Sequence, residues 1–345
     1  MTELAGRMGQ HPRPTHVIVH LSDLHLLSGG QLLFGAVDTE GQLQRALEQL
    51  ETSGIRPDAI VVSGDITDRG EPDAYRRARR AVDATANRLG APVVWVMGNH
   101  DKREVFHTEL LDQPADREPV DGVIEVNGLR IISLDSSVPG FHHGELKPAQ
   151  LEFLARTLRS PARFGTIIAM HHPPVPTPVA VLDILELADQ HLFADTIKNT
   201  DVRAILAGHV HYTTAGNCAG IPVFVAGATS YTMDLSAPVD ELHGIDGGQS
   251  FSLVHVHDDQ VVHSAVPLGN FRQVSGIGAD FLASMRNLNA DGRRDAFSRM
   301  PTDDQGEDDV APSEDAPSDD APSEDAPSDD APSEDGPSDE SAPSE

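Results

Sequence analysis

Residues 58–101 read DAIVVSGDITDRGEPDAYRRARRAVDATANRLGAPVVWVMGNHD. Two apolar runs, DAIVVS and PVVWVM, flank a long polar stretch. Apolar runs without polar alternation suit strands covered on both faces. The stretch between them, residues 71–90, carries Pro72 near its start and stops at Gly90, which predicts a helix. A helix of that length between two strands forces a parallel crossover, because a tight turn cannot span it. Each strand then runs straight into polar residues: Gly64-Asp65-Ile66-Thr67-Asp68 after the first and Gly98-Asn99-His100-Asp101 after the second.

The same unit recurs on either side. HVIVHL (residues 16–21) reads as a strand, and residues 39–54 as a helix with Leu43, Ala46, Leu47 and Leu50 on one face. Downstream, residues 123–126 and 129–135 meet across Asn127-Gly128, the dipeptide most diagnostic of a hairpin. Residues 147–160 and 183–199 read as helices, and residues 166–170, 202–208 and 221–227 as strands. Residues 250–257 and 260–268 form an expected antiparallel hairpin across Asp258-Asp259. The order predicts an α/β protein, a four-layer α/β/β/α sandwich of two mixed β-sheets flanked by helices.

Domain organisation follows from where this pattern starts and stops. Residues 1–15 read as a mobile polar leader, 16–270 as the main α/β domain, and 271–300 as an extension with a short helix at residues 279–288. Residues 301–345 repeat APSEDAPSDD, an acidic Pro/Ser tail expected to be disordered, since it cannot bury enough apolar surface to offset chain entropy. That tail holds 18 of the 55 acidic residues and no Lys or Arg, so residues 1–300 carry 37 acids against 25 bases. Such a balance argues against a nucleic-acid polymer as partner, since a nucleic-acid groove needs clustered cations. The single cysteine, Cys218, excludes an intramolecular disulfide and reads as a small buried residue. No apolar run marks a secretory signal or a membrane span, so the expected location is cytoplasmic, with peripheral membrane association left open.

Five predicted strands each deliver Asp, Asn or His at the carboxyl end: Asp23 and His25, Asp65, Asn99, His171, and His209 with His211. Open α/β sheets build their sites at that edge. Asp23 and His25 are two apart, as are His209 and His211, so in extended backbone each pair would share a face without distortion. Gly64, Gly98 and Gly208 precede the polar residues and suit close backbone approach. A lone histidine after a strand is usually structural. A whole ordered set of mixed carboxylate, amide and imidazole donors suits Mn, Fe, Zn or Co.

The D-x-H, G-D-x-x-D, G-N-H-D, later His and G-H-x-H segments resemble the calcineurin-like metallophosphoesterases, over about residues 17–211. The runs GDITDRGEPDAYRRARR and PGFHHGELKPAQLEFL further resemble the bacterial, and in particular mycobacterial, class III cyclic nucleotide phosphodiesterases. The resemblance implies two metal ions, divalent or trivalent. One would be held by Asp23, His25, Asp65 and His211, the other by Asp65, Asn99, His171 and His209, with Asp65 bridging. It implies hydrolysis of 3′,5′-cyclic AMP, with cGMP and 2′,3′-cyclic nucleotides as further candidates, by attack of a hydroxide shared between the metals. His100 would be the catalytic acid and, with Asn99 and His211, a substrate contact; Asp68 and Asp101 would orient ligating histidines, with Asp68 alternatively a cap on the following turn. His142 and His143 fall in a loop that reads equally as the substrate mouth or as an exposed turn.

Homodimers occur among such relatives, though no sequence feature here requires one. Broad-specificity phosphodiester or glycerophosphodiester hydrolysis, phosphomonoester hydrolysis, and a non-catalytic metal-binding scaffold on the same fold are the alternatives. The scaffold is disfavoured because every motif position is filled. Few aromatic residues, 4% of the chain, are available to grip a nucleobase.

Overall fold

The computed structural model describes residues 8–300. The acidic repeat tail and residues 1–7 lie outside the described residues. The first half of the chain forms β1 (His16–Leu21), α1 (Thr39–Thr52), β2 (Ala59–Ser63), α2 (Pro72–Leu89), β3 (Val93–Val96) and α3 (Arg103–Leu110). The hairpin β4 (Gly122–Val126) and β5 (Leu129–Leu134) follows, then α4 (Pro148–Thr157), β6 (Thr166–Met170), α5 (Gln190–Ile197) and β7 (Val202–Ala207). The remaining strands are β8 (Thr214–Cys218), β9 (Ile221–Val225), β10 (Thr232–Met233), β11 (Gly244–Ile245), β12 (Ser250–Val256) and β13 (Val261–Pro267). These belong to one compact unit ending at Ala279. The segment beyond it contains α6 (Ala279–Arg286). No helix among the described residues is long and apolar enough to cross a membrane.

Two mixed sheets form. One runs β13-β12-β1-β2-β3, parallel from β1 to β3 with β12 and β13 antiparallel beside them. The other runs β4-β5-β6-β7-β9-β8, parallel from β5 to β9 with an antiparallel strand at each edge.

Strand residues alternate between two cores. Val19 and Leu21 of β1, with Ile60 and Val62 of β2, cluster with Leu43, Leu47 and Leu50 of α1 and with Ala78 and Val82 of α2. Their neighbours Ile18, Ala59 and Val61 face the second sheet and meet Ile131, Ile167, Ala169, Ala204 and Leu206. On the far side of that sheet, Ile132, Leu134, Ile168 and Met170 cluster with Leu154 of α4 and with Phe193 and Ile197 of α5. The result is the four-layer α/β/β/α sandwich. The strands lack polar alternation because both of their faces are covered. Each fully buried Leu, Ile or Val contributes about 1.5–3 kcal/mol.

The expected helix over residues 183–199 is broken. A 3₁₀ turn (Ala180–Leu185) precedes α5, and Asp189 sits at φ +49° between them. The reason is a competing pairing: the Gly144 amide donates to the Glu186 carbonyl, and the Ala188 amide donates to the Gly144 carbonyl. Helical periodicity could not reveal that tertiary pairing. β8 has little apolar pattern because it is an edge strand whose residues are mostly exposed.

The inner layer also buries imidazoles. His20 of β1 hydrogen-bonds Ser63 Oγ at 2.8 Å and meets the His263 ring edge-on, with centroids 6.1 Å apart. Burial, with His263 adding to it, holds His20 well below its ordinary value, and burial holds His263 down at about 4. In the unfolded chain both regain values near 6.5. As pH falls from about 6.5 to 4 the unfolded state therefore binds more protons and stability is lost. The unfolding midpoint should drop over that window, and the double variant His20→Gln/His263→Gln should show a shallower drop in pH-resolved thermal melts.

Candidate metal centre

The carboxyl ends of β1, β2, β3, β6 and β7 converge on one point between the sheets. Their loops are held by each other's backbones: the Asp23 amide donates to the Gly64 carbonyl at 3.1 Å and the His25 amide to the Asp65 carbonyl at 2.9 Å. The extended backbone expected around Asp23, His25, His209 and His211 is not what forms. Asp23 (φ +54°), His25 (+46°), Asp65 (+48°), His209 (+76°) and His211 (+58°) all occupy the left-handed region. That conformation costs a non-glycine residue roughly 1–2 kcal/mol. It persists because the hydrogen bonds between loops over-determine it, and such strain concentrates at functional sites. Gly64 is needed on two counts: its φ is +98°, and a Cβ there would collide with the His171 ring. At Gly208 a Cβ would strike Ser22 and Asp23.

Asp23, His25, Asp65 and His211 are buried and bring ligand atoms within 4.8 Å of one another. His25 Nδ1 lies 3.2 Å from Asp68 Oδ1, and His211 Nδ1 donates to the Tyr231 carbonyl at 3.0 Å. Both partners are acceptors, which directs each ring's proton to Nδ1 and leaves a lone pair on Nε2. Those two Nε2 atoms face each other at 3.1 Å, with Asp65 Oδ2 3.4 Å from the first and Asp23 Oδ1 3.4 Å from the second. Lone pairs and carboxylates converging in this way call for a cation among them.

A second group lies beside the first. His171 Nδ1 donates to the Ser63 carbonyl at 2.8 Å, so its Nε2 faces Asn99 Oδ1 at 3.1 Å and Asp65 Oδ2 at 3.4 Å. The His209 ring lies 5.1 Å from the His171 ring, and its Nε2 donates to the Leu185 carbonyl, which leaves the ring's lone pair on Nδ1. Asp65 contacts both groups. His172 is also close, but both of its nitrogens are engaged, Nδ1 with Ser136 Oγ and Nε2 with the His142 carbonyl. The arrangement therefore fits metal ions through carboxylate, amide and imidazole donors.

The electrostatics agree. Burial pushes Asp65 up, but His171, His25 and His100 override it and hold the carboxyl well below its usual range. Burial and the neighbouring Asp65 raise Asp23 despite His171. Burial opposes charge on His171, yet Asp65 and Asp23 lift it to about 9. Burial, then His171, holds His209 down at about 3. The carboxylates thus draw positive charge to the centre of the cluster.

Of the other residues singled out in the sequence, His100 donates from Nδ1 to the Asp68 carbonyl at 2.8 Å and stands against the His25 ring at 4.7 Å. Asp68 faces His25, with Oδ1 3.2 Å from Nδ1. Asp101 does not orient a histidine. It accepts from the amides of Gly98, Ile66 and Thr67 and from the Tyr75 hydroxyl, which ties the two ligand loops together. A buried carboxylate must be hydrogen-bonded, and these donors occupy both of its oxygens. His142 Nδ1 is 2.8 Å from Asn99 Nδ2, whereas His143 turns away and packs on Phe141. The loop carrying His142 is anchored by buried Arg103, which donates to Asp135 at 2.7 Å and to the Ser137 carbonyl at 2.8 Å. Sequence reasoning assigned no role to Arg103, His172 or Tyr231. Only the recurrence of His in His171-His172 carried any signal.

The calcineurin-like phosphoesterase family model matches residues 16–213. The chain belongs to that family. It is 52% identical to the cAMP/cGMP dual specificity phosphodiesterase of Mycobacterium tuberculosis over 263 residues, covering 76% of this chain and 83% of the relative. It is 48% identical to a probable cyclic nucleotide phosphodiesterase of Rhodococcus erythropolis, covering 84% of this chain and 96% of the relative. Among solved structures, a dimetal phosphatase from Danio rerio superposes with a TM-score of 0.52 at 16% identity, over 74% of this chain and 96% of that one. That last likeness concerns the fold. The family resemblance expected from the motifs is thus what the comparisons show.

A metal bound only by the folded site adds stability, about 2.7 kcal/mol at a hundredfold excess over Kd. Chelator-treated protein should melt at lower temperature, and added Mn²⁺ or Zn²⁺ should restore the midpoint. Asp65→Ala should lose that response, and Asp68→Asn should weaken metal affinity about tenfold to a hundredfold by calorimetry.

Proposed function

We propose that this chain is a phosphodiesterase opening the cyclic phosphate of 3′,5′-cAMP to 5′-AMP, with cGMP and 2′,3′-cyclic nucleotides as further substrates. The observation that carries this reading is the 52% identity to a relative named for cAMP and cGMP, over a chain whose strand ends assemble buried Asp and His with half-buried Asn99 and His209. Asp23, His25, Asp65 and His211 would hold one metal, and Asp65, Asn99, His171 and His209 the other. Bound there, Mn, Fe, Zn or Co ions would acidify water and neutralise charge on the phosphate.

The protein's own groups do the rest. Asn99 Nδ2 donates to His142 Nδ1, which turns Oδ1 of the amide toward His171. The same bond sets the His142 tautomer, with its proton on Nε2 available to a phosphate oxygen. His100 keeps its Nδ1 proton on the Asp68 carbonyl, so Nε2 is the atom that would deliver a proton to the departing ribose oxygen. Asp68 fixes the His25 ring. A cytoplasmic location suits a soluble nucleotide substrate and a single cysteine.

A substrate panel tests this reading. Metal-loaded protein should convert 3′,5′-cAMP to 5′-AMP. His100→Gln should lower kcat about a hundredfold or more, and Asn99→Ala should lower it at least as far. Hydrolysis of phosphomonoesters alone would assign a phosphatase instead, and metal binding with no turnover would revive the scaffold.

A further inference from the structure

Six of the fifteen aromatic rings are spent in the cores: Trp95, Tyr75, Tyr212, Phe106, Phe193 and Phe251 are buried. Phe34 is not. It is 75% exposed, and its backbone sits at φ +53°. A bulky residue gains nothing locally from that conformation, and an exposed ring gains nothing from the core. The loop nonetheless holds it firmly. Leu33 and Val37 are buried on either side, and each one's amide donates to the other's carbonyl, at 2.9 and 3.0 Å.

A chain of ring contacts links Phe34 to the donor cluster. Phe34 stands edge-on to Tyr231, with centroids 5.4 Å apart at an interplanar angle of 79°. Tyr231 in turn lies 4.2 Å from the His211 ring and 6.1 Å from the His25 ring. Phe34 is therefore within about 10 Å of a ligand histidine. The sugar of a nucleotide bridges that kind of span between its phosphate and its base. In a 3′,5′-cyclic nucleotide the phosphate is fused to the ribose, so the base can reach only a small region around the metals.

We propose that Phe34, braced by Tyr231, is the platform on which the nucleobase of the substrate stacks. The inference rests on the cyclic nucleotide reading above and adds the group that reads the base. Stacking is tolerant of base identity, because every base has a π face. It would let one site accept adenine and guanine alike, and it explains how a chain poor in aromatics can still hold a nucleobase.

The test separates base from phosphate. Metal-loaded wild type, Phe34→Ala, Phe34→Trp and Phe141→Ala are titrated by calorimetry with 5′-AMP and with ribose 5-phosphate, and assayed on cAMP. Phe141 is the control, an exposed ring that packs on His143 instead. Phe34→Ala should weaken AMP about tenfold or more while leaving ribose 5-phosphate unchanged. Its KM for cAMP should rise by a similar factor with kcat within about twofold, and Phe34→Trp should restore both. Equal loss of both ligands, no loss of either, or a base-selective loss in Phe141→Ala would overturn the platform. If wild type fails to hydrolyse cAMP, the function proposed above falls. The AMP and ribose 5-phosphate affinities of Phe34→Ala then still decide the platform by themselves.

Discussion

Two buried carboxylates set the terms for the rest of this molecule. Asp23 and Asp65 lie within a few ångströms of each other in the cleft between the sheets, with almost no access to water. Charge in such a place is tolerated only when it is paired and hydrogen-bonded. The protein answers by surrounding the carboxylates with imidazoles whose far nitrogens are pinned by backbone carbonyls or Asp68. The pinning directs lone pairs inward, and so turns an electrostatic liability into a cation site. The distorted backbone at Asp23, His25, Asp65, His209 and His211 serves the same end. The donors cannot converge from straight strands, so strain is stored in the loops and sustained by bonds between them.

The sandwich makes this possible. Parallel strands in each sheet point their carboxyl ends the same way, and the inner core of Ile18, Val61, Ile131, Ile167 and Leu206 presses the two sheets together. Donors on β1 and β2 loops thereby meet donors on β6 and β7 loops that are more than a hundred residues away in the chain. A further layer of polar contacts steadies the rim. Asp101 ties the loops after β2 and β3 to Tyr75 of α2, and Arg103 ties the His142 loop to Asp135. Neither residue hydrogen-bonds the donors, yet both fix where the donors and the His142 loop sit.

Regular elements were largely legible in advance because their causes are local. Apolar runs marked β1, β2, β3, β6 and β7, and Asn127-Gly128 marked the β4–β5 hairpin, whose residues indeed take positive φ. Reading failed where a distant partner decided the outcome. The break before α5 depends on Gly144 pairing with residues 186–188, and the edge strand β8 has too little pattern to announce itself. The role given to Asp101 failed for a related reason: spacing places a carboxylate near the ligands but cannot say which way it turns.

The sequence by itself determined the residue types of the centre, their order, and the strands that deliver them, because donor chemistry and strand burial are written in local patterns. Tertiary structure alone decided the left-handed turns at the donors, the tautomers of His25, His171, His209 and His211, and the company kept by Asp101, His142 and Phe34. Those depend on hydrogen bonds and ring contacts between segments far apart in the chain. No window of neighbouring residues carries that information.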